Sequence, residues 1–509
     1  MRELTIPRSG LSEENTHSMF TTVKLDSFSF VLFGATGDLA KRKIFPALYN
    51  LFLDNRLTAP FSVIGLGRRN WTDEVFQFHV KNSLNHFSRR FKEHDAMLDD
   101  FLQIFRYCAL DVTNSEGYKA VHELILSREK ELGILGNRVF YLSVSPEFFG
   151  IITSNIEKSG IGVSKGWKRL VIEKPFGRDI TSARELNKKL GQVFEEEEIY
   201  RIDHYLGKQM VQNLEALKLA NPMLQSLWDN KNISNIQITA SETVGVEERA
   251  AYYEQAGAIR DMFQNHMLQM LMMVAMQSPE HINPENIRKK KSDIMKHLRP
   301  LNKKNTAFHV VRGQYGSGEI NGEQVAAYIE EPGVESSSRN DTFVAARLWI
   351  DDYCWCGVPF YIRTGKRMKE KSTRVVIEFK SPIRDLYEDN KKTAVPNLLI
   401  IEISPNESVS LQLNLKNPAK YGKTEPVILQ FSAPGKEAPE AYESLIFDTL
   451  RGDPTFFSHW EEVELSWNWV QPILEAFKDN TLPLHSYPAG SMGPEAAQQL
   501  LAGDGFIWW

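Results

Sequence analysis

Residues 28–40 read Phe28-Ser29-Phe30-Val31-Leu32-Phe33-Gly34-Ala35-Thr36-Gly37-Asp38-Leu39-Ala40. The first six, rich in aromatic and β-branched residues, suit a buried strand. Gly34 and Gly37 punctuate the run, and a helical pattern starts near Asp38. Strand, glycine turn and helix open a parallel α/β unit. Pro46 lies inside the helical pattern and is expected to kink it. Residues 61–66, 105–110, 139–144 and 170–172 are further short apolar runs, with helical patterns between them. The series predicts a Rossmann-like, doubly wound parallel sheet over residues 27–202.

Farther along, the pattern changes. Residues 206–219 read as a helix with Leu206, Met210, Leu214 and Leu217 on one stripe, and residues 259–276 as another. Strand patterns then dominate, at 236–242, 308–315, 343–350, 359–363, 374–379, 398–403, 408–415 and 427–431. With few helices between them, they predict a large, mainly antiparallel sheet with packed helices, an α+β domain over residues 203–509. Residues 1–26 are polar, carry Pro and Gly, and read as an N-terminal arm.

Composition narrows the class. The chain has 509 residues, 60 Lys plus Arg against 65 Asp plus Glu, and a formal net charge of −5. That balance argues against a nucleic-acid binder. Hydrophobic residues at 42% and charged residues at 25% exclude disordered, collagen-like and membrane classes. Three cysteines exclude a disulfide framework and fit a reducing compartment. Residues 1–26 lack the apolar core of a signal peptide, and residues 262–276 are too short and polar to span a bilayer. The expectation is a soluble cytoplasmic protein.

Gly34, Ala35, Thr36, Gly37, Asp38 and Leu39 occupy the place where a dinucleotide pyrophosphate meets backbone N–H groups at a helix N-terminus. The spacing is not the usual G-x-G-x-x-G, so the strand–turn–helix context carries the reading. Asp38, acidic beside a phosphate, reads better as a helix cap. The second strand ends Gly65-Leu66-Gly67-Arg68-Arg69. An NAD site would place a carboxylate there, whereas two guanidinium groups suit a 2′-phosphate, so NADP is the expected cofactor. Lys43 reads as a surface-facing lysine.

Three further segments carry chemistry. Glu173-Lys174-Pro175-Phe176-Gly177 follows a strand, where α/β sites form. It is either a simple turn or one that holds Lys174 beside a nicotinamide, and a cis Lys174–Pro175 bond is allowed there. In Arg201-Ile202-Asp203-His204-Tyr205-Leu206-Gly207-Lys208, an extended backbone would point Asp203 and His204 to opposite faces. In Arg260-Asp261-Met262-Phe263-Gln264-Asn265-His266, α-helical spacing does not put Asp261 beside His266. Spacing by itself establishes no catalytic dyad.

These segments together resemble the glucose-6-phosphate dehydrogenase family. The resemblance covers about residue 28 to about residue 473 and rests on GATGDLAKRKIFPALY, EKPFGRD, RIDHYLGK, RDMFQNH, YIRTGK and AYESLIFDTLRGD. RIDHYLGK is the most specific. Thr36 and Ala250 stand where the family often has Ser and Gly. The resemblance implies NADP-dependent oxidation of D-glucose 6-phosphate at C1 to a lactone, the first oxidative step of the pentose phosphate pathway. It implies His266 as general base, Asp203 as its carboxylate, and Lys208 as a residue that contacts substrate and supports catalysis. It implies His204 and Tyr205 as phosphate ligands, Glu242 and Asp261 as ligands of sugar hydroxyls, and Lys366 and Lys371 as basic substrate ligands. Lys174 is expected between cofactor and substrate. No metal is expected. A homodimer or dimer of dimers, built through the large sheet, is also implied.

The remaining features read as structural. Cys354 and Cys356 are expected on one strand face as buried thiols, with no matching ligand cluster for a metal. Arg288 to Lys291, with Lys296 and Arg299, reads as a solvated helix face rather than a nucleic-acid site. Glu195 to Glu198 reads as an exposed turn, and Trp508-Trp509 packs either on the chain's own core or on a neighbour. The competing functional readings are a catalytically silent NADP-sensing protein and a different NADP-linked sugar oxidoreductase. The presence of His266, Asp203, His204 and Lys208 argues against the first, and RIDHYLGK with the distant Lys366–Lys371 pair against the second.

Overall fold

The computed structural model describes residues 25–92, 96–381, 395–420, 424–432 and 439–509. Most of the expected N-terminal arm, residues 1–24, lies outside the described residues. Six strands, β1 (Phe28–Phe33), β2 (Phe61–Gly67), β3 (Phe105–Ala109), β4 (Arg138–Leu142), β5 (Lys168–Glu173) and β6 (Ile199–Ile202), form an all-parallel sheet in the order β3-β2-β1-β4-β5-β6. Every residue of β1 is buried, as a strand covered by helices on both faces must be. The order reverses between β1 and β4, the place where open α/β sheets bind ligands.

The helix after Gly37 differs from expectation. It begins with a π-helical turn, Ala40–Ile44, and continues as an α-helix, Phe45–Leu53, with Pro46 in its first turn. Pro46 therefore sits where the hydrogen-bond pattern changes. Its missing N–H falls where the bonding pattern passes from π to α.

The second sheet contains β7 (Ile233–Ser241), β8 (Val310–Gly316), β11 (Phe343–Trp349), β12 (Pro359–Gly365), β13 (Ser372–Phe379), β14 (Leu398–Ser404), β15 (Ser408–Lys416), β16 (Thr424–Ser432) and β17 (Leu484–Pro488), with the hairpin β9 (Gly318–Ile320) and β10 (Glu323–Val325) beside it. The order is β16-β15-β14-β13-β7-β12-β11-β8-β17. The β7–β12 and β8–β17 pairs are parallel and the others antiparallel. Each strand read from the sequence is present. β9, β10 and β17 escaped it because they are short and bounded by turns.

Several local expectations change. Residues 351–357 form turns rather than a strand, because Asp352 Oδ1 accepts from Trp355 N at 2.7 Å. Cys354 is buried in consequence, but Cys356 is exposed. The helix Pro284–His297 is not a wholly solvated basic face. Lys291 shares the inward stripe of Ile287, Ile294 and Met295, and its ammonium meets Glu462 at 2.8 Å with both side chains fully buried. Within the acidic run, the Glu196 carboxylate accepts from Arg201 at 2.6 and 2.9 Å. The final tryptophans pack on the chain's own large sheet. Trp508 lies under the Arg363 guanidinium, and Trp509 Nε1 donates to Glu378 Oε2 at 2.7 Å.

One element crosses the expected boundary between residues 202 and 203. The helix Ala441–Arg451 buries Leu445, Ile446 and Leu450 in the core that holds Phe30, Phe45 and Leu48 of the first sheet's unit. Among the described residues, no helix is long and apolar enough to cross a membrane.

Candidate active site

The turn after β1 is closed by its own backbone, Gly37 N donating to Gly34 O at 2.9 Å. Gly34 has φ +79°, and a Cβ there would lie 2.1 Å from Ser143 O. Only glycine fits, and Gly34 N and Ala35 N both donate to Leu66 O at 3.0 Å, which seats the turn against β2 at the helix start, where a pyrophosphate would approach. Ala35 is buried, and Leu39 packs against the apolar core, so both shape the turn from beneath. The end of β2 comes against this turn. A Cβ on Gly67 would sit 3.2 Å from Thr36 Cγ2. Arg68 and Arg69 follow it, both exposed, with the Arg68 charge also felt by the Asp111 carboxylate. Arg69 lies over the Trp71 ring at 5.1 Å. Small residues at the turn and two exposed guanidiniums at the next strand end fit NADP. Asp38 is not the helix cap expected of it, because it is already helical and pairs with Arg42 at 2.8 Å. Lys43 pairs with Glu440 at 3.0 Å.

The second cluster is assembled from the ends of β5 and β6 and one buried helix. β6 stops at Ile202, and residues 203–207 turn. Asp203 makes the turn by accepting from Tyr205 N at 2.9 Å through Oδ1, and from Leu206 N at 3.0 Å through its carbonyl. The expected separation of Asp203 and His204 onto opposite faces therefore fails, and both reach His266. His266 Nδ1 donates to Asp203 Oδ1 at 2.5 Å. The His204 ring lies 4.6 Å from the His266 ring, and the Tyr205 ring stacks on it at 4.3 Å.

A change of helical pitch explains how Asp261 and His266 meet one partner. Residues Ile259–Met267 form a π-helix, continued by the α-helix Leu268–Ala275. The i→i+5 pattern of a π-helix brings together positions that an α-helix holds apart. Lys174, following β5 through a cis Lys174–Pro175 bond, exploits this. Its Nζ donates to His266 Nε2 at 2.6 Å and to Asp261 O at 2.8 Å, and lies 3.7 Å from Asp261 Oδ1.

Burial sets the electrostatics. It pushes His266 below the ordinary 6.5, Asp203 partly restores the value, and Lys174 lowers it again. A neutral imidazole results, with Nδ1–H fixed on Asp203 and the Nε2 lone pair accepting from Lys174. Burial alone would raise the Asp203 carboxyl, but His266, His204 and Lys174 hold it well below the usual carboxylate range. His204 is driven far down by burial, with His266 and Lys174 adding to the effect.

The opposite end of the cluster is basic. Lys208 lies over the Tyr205 ring at 3.9 Å and faces Lys371; burial brings its ammonium down to about 8. Lys371 itself is exposed. Lys366 is buried and donates to Glu242 Oε2 at 2.6 Å, so two expected substrate ligands are each other's partner. Tyr252 donates to Asp261 Oδ1 at 3.2 Å. Asp203, His204 and His266 bring donor atoms within 4.8 Å of one another. Yet Asp203 takes one His266 nitrogen and the Lys174 ammonium the other, which is the arrangement of a proton-transfer site.

Sequence reasoning passed over Tyr141, Glu173, Tyr252 and Tyr442. Glu173 stands inside the EKP segment and could have been singled out, but the tyrosines lie among core-like residues and gave no signal. A cavity of about 410 Å³ opens beside Pro175, lined also by Glu147, Gly177, Tyr252 and Arg260.

Comparison with known proteins adds the following. Residues 31–213 match the family model described as glucose-6-phosphate dehydrogenase, NAD binding domain, and residues 215–509 the model for its C-terminal domain. The chain is 47% identical over 482 residues to a glucose-6-phosphate 1-dehydrogenase of Bacillus subtilis, covering 94% of this chain and 97% of that one. It is 40% identical over 492 residues to the Mycolicibacterium smegmatis protein of the same name, covering 96% and 98%. A solved structure described as glucose-6-phosphate dehydrogenase in complex with its substrate glucose-6-phosphate superposes with a TM-score of 0.88 at 32% identity, covering 95% of this chain and 99% of that one.

Proposed function

The chain belongs to the glucose-6-phosphate dehydrogenase family, and from that premise we propose how its residues carry out the reaction. The enzyme oxidises D-glucose 6-phosphate at C1 to 6-phosphoglucono-1,5-lactone, with NADP as cofactor. His266 Nε2 takes the proton of the C1 hydroxyl as the C1–H hydride leaves and C1–O becomes a carbonyl. Asp203 fixes the tautomer and stabilises the imidazolium that forms. Lys174 Nζ, which lies on Nε2, yields that place to the sugar oxygen and remains beside it as a donor. NADP, when bound, would supply the hydride acceptor; the Gly34–Gly37 turn would hold its pyrophosphate, Arg68 and Arg69 its 2′-phosphate, and Lys174 would stand between cofactor and substrate. His204, Tyr205 and Lys208 receive the substrate phosphate, with Lys371 at the rim. Glu242, Asp261 and Lys366 hold the sugar hydroxyls. The Asp203–His266 hydrogen bond at 2.5 Å, with the second ring nitrogen facing a lysine, carries this reading.

The test is initial rate with glucose 6-phosphate, NADP and NAD side by side, with His266→Asn as control. Turnover that favours NADP and collapses in the variant is expected. Folded, NADP-binding protein without turnover would favour a sensor.

We assign residues 27–202 with the helix Ala441–Arg451 to the coenzyme unit, and the rest of 203–509 to a substrate and assembly unit. The outer strands β15 and β16 expose Leu415, Ile428, Leu429 and Phe431, an apolar sheet edge suited to a second copy. A homodimer follows, in a cytoplasmic setting that suits the sparse cysteines. A single non-associating species near the chain mass of 58.3 kDa in sedimentation would overturn the dimer.

A further inference from the structure

Behind the catalytic lysine lies a carboxyl group that the mechanism above does not use. Glu173 ends β5, one residue before Lys174. Its Oε1 accepts from two phenols, Tyr141 of β4 at 2.7 Å and Tyr442 of the helix Ala441–Arg451 at 3.2 Å. The ionisable groups facing it are these two tyrosines, Lys174 and, from the turn after β6, Asp203. Tyr442 is not an isolated tie. A Cβ on Gly207 would lie 2.7 Å from Ala441 O, so the start of this helix rests directly on the turn that carries Asp203 and Lys208. The next residue, Glu443, accepts from Asn50 at 2.9 Å and pairs with Arg89 at 3.1 Å, fixing the helix to the coenzyme unit. One helix end thus touches both catalytic turns and the unit that holds the coenzyme.

We propose that Glu173 and Tyr442 are positioning residues for the oxidation: the Tyr141–Glu173–Tyr442 clasp anchors the end of β5 so that Lys174 Nζ meets His266 Nε2 and the arriving sugar oxygen. The charge of Glu173 belongs to this device. A carboxylate there adds a further negative charge near Lys174, beside those of Asp261 and Asp203, whereas a neutral carboxyl removes it. Burial lifts the Glu173 carboxyl to about 7, with both tyrosines and Lys174 opposing the rise and Asp203 adding to it. The clasp therefore changes charge within the working range of the enzyme. The proposal rests on the assignment of Lys174 and His266 given above.

The test compares Tyr442→Phe, Glu173→Gln and Glu173→Asp in the full chain, measuring kcat, the KM for glucose 6-phosphate, and the pH profile of kcat. Misplacing a catalytic group by a fraction of an ångström is expected to lower kcat about tenfold or more in Glu173→Gln, with KM nearly unchanged. Glu173→Asp should recover part of the loss. The wild-type profile should carry a partial step near pH 7, above the steeper loss as His266 protonates. Phenol donation favours the carboxylate, so Tyr442→Phe should move that step to higher pH. Glu173→Gln should abolish it. Should Glu173→Gln fail to fold, Tyr442→Phe decides, since it removes one hydroxyl and no ring. Wild-type kcat and an unmoved step in Tyr442→Phe would overturn the proposal, as would a profile in Glu173→Gln that superimposes on wild type after scaling. Failure of the underlying assignment looks different: His266→Asn and Lys174→Ala would then retain activity, whatever Tyr442→Phe does.

Discussion

The turn proposed for the coenzyme and the cluster proposed for catalysis are built differently. The turn after β1 is contiguous in sequence and is shaped by backbone: a positive-φ glycine, N–H groups of Gly34 and Ala35 tied to Leu66 O, and two exposed arginines at the next strand end. The cluster gathers Lys174, Asp203, Asp261 and His266 from three segments and works through buried side chains, each holding another's ionisation in place. The turn needs only its neighbours in the first sheet, Leu66 of β2 and Ser143 after β4. The cluster exists only when the two units are joined.

Experiments that separate the two regions sharpen this contrast. The largest effect is expected in His266→Asn, which removes the proposed base. A loss in kcat of about 10²- to 10⁴-fold should leave NADP affinity near wild type, as read by fluorescence titration. Weakened NADP binding of comparable size would break the separation.

Gly34→Ala is the converse experiment. The positive φ and the 2.1 Å approach to Ser143 O predict a loss of about 1–3 kcal/mol in stability, with weaker coenzyme binding. The pH profile of whatever activity remains should keep its wild-type shape. Arg68→Ala should raise the KM for NADP about 10- to 100-fold, the size of a lost charge-assisted hydrogen bond, while leaving that for NAD nearly unchanged. Equal losses with both cofactors would refute the 2′-phosphate assignment.

The smallest effects are shifts in pH dependence. Since His266 is held below 6.5, the steep acid limb of kcat/KM should lie below that pH. Asp203 raises the His266 value and Lys174 lowers it. The limb should therefore move down in Asp203→Asn and up in Lys174→Ala, on top of each variant's reduced rate. Shifts of the same sign in both would contradict the arrangement of charges around the imidazole.

What the sequence made legible follows the same divide. Strand patterns, the glycine turn and the paired arginines were readable because hydrophobic period and backbone permissiveness are local properties. The proposed catalytic residues came from resemblance, through RIDHYLGK and RDMFQNH, and not from spacing. Spacing misled twice. It assumed an extended chain through Asp203 and His204, where the Asp203 side chain makes a turn, and it assumed α-helical pitch between Asp261 and His266, where the helix is π. Lys291 was taken for a solvated cation because its partner, Glu462, stands on another helix.

The sequence by itself determined the two architectures, the order of nearly every strand, the coenzyme turn and the family, since each is written in contiguous residues. Only the tertiary structure decided that Lys174 lies on His266, that Lys366 and Glu242 are partners, and that Tyr442 reaches back to Glu173. Those relations depend on distances between segments far apart in the chain, and on burial, which no local pattern encodes.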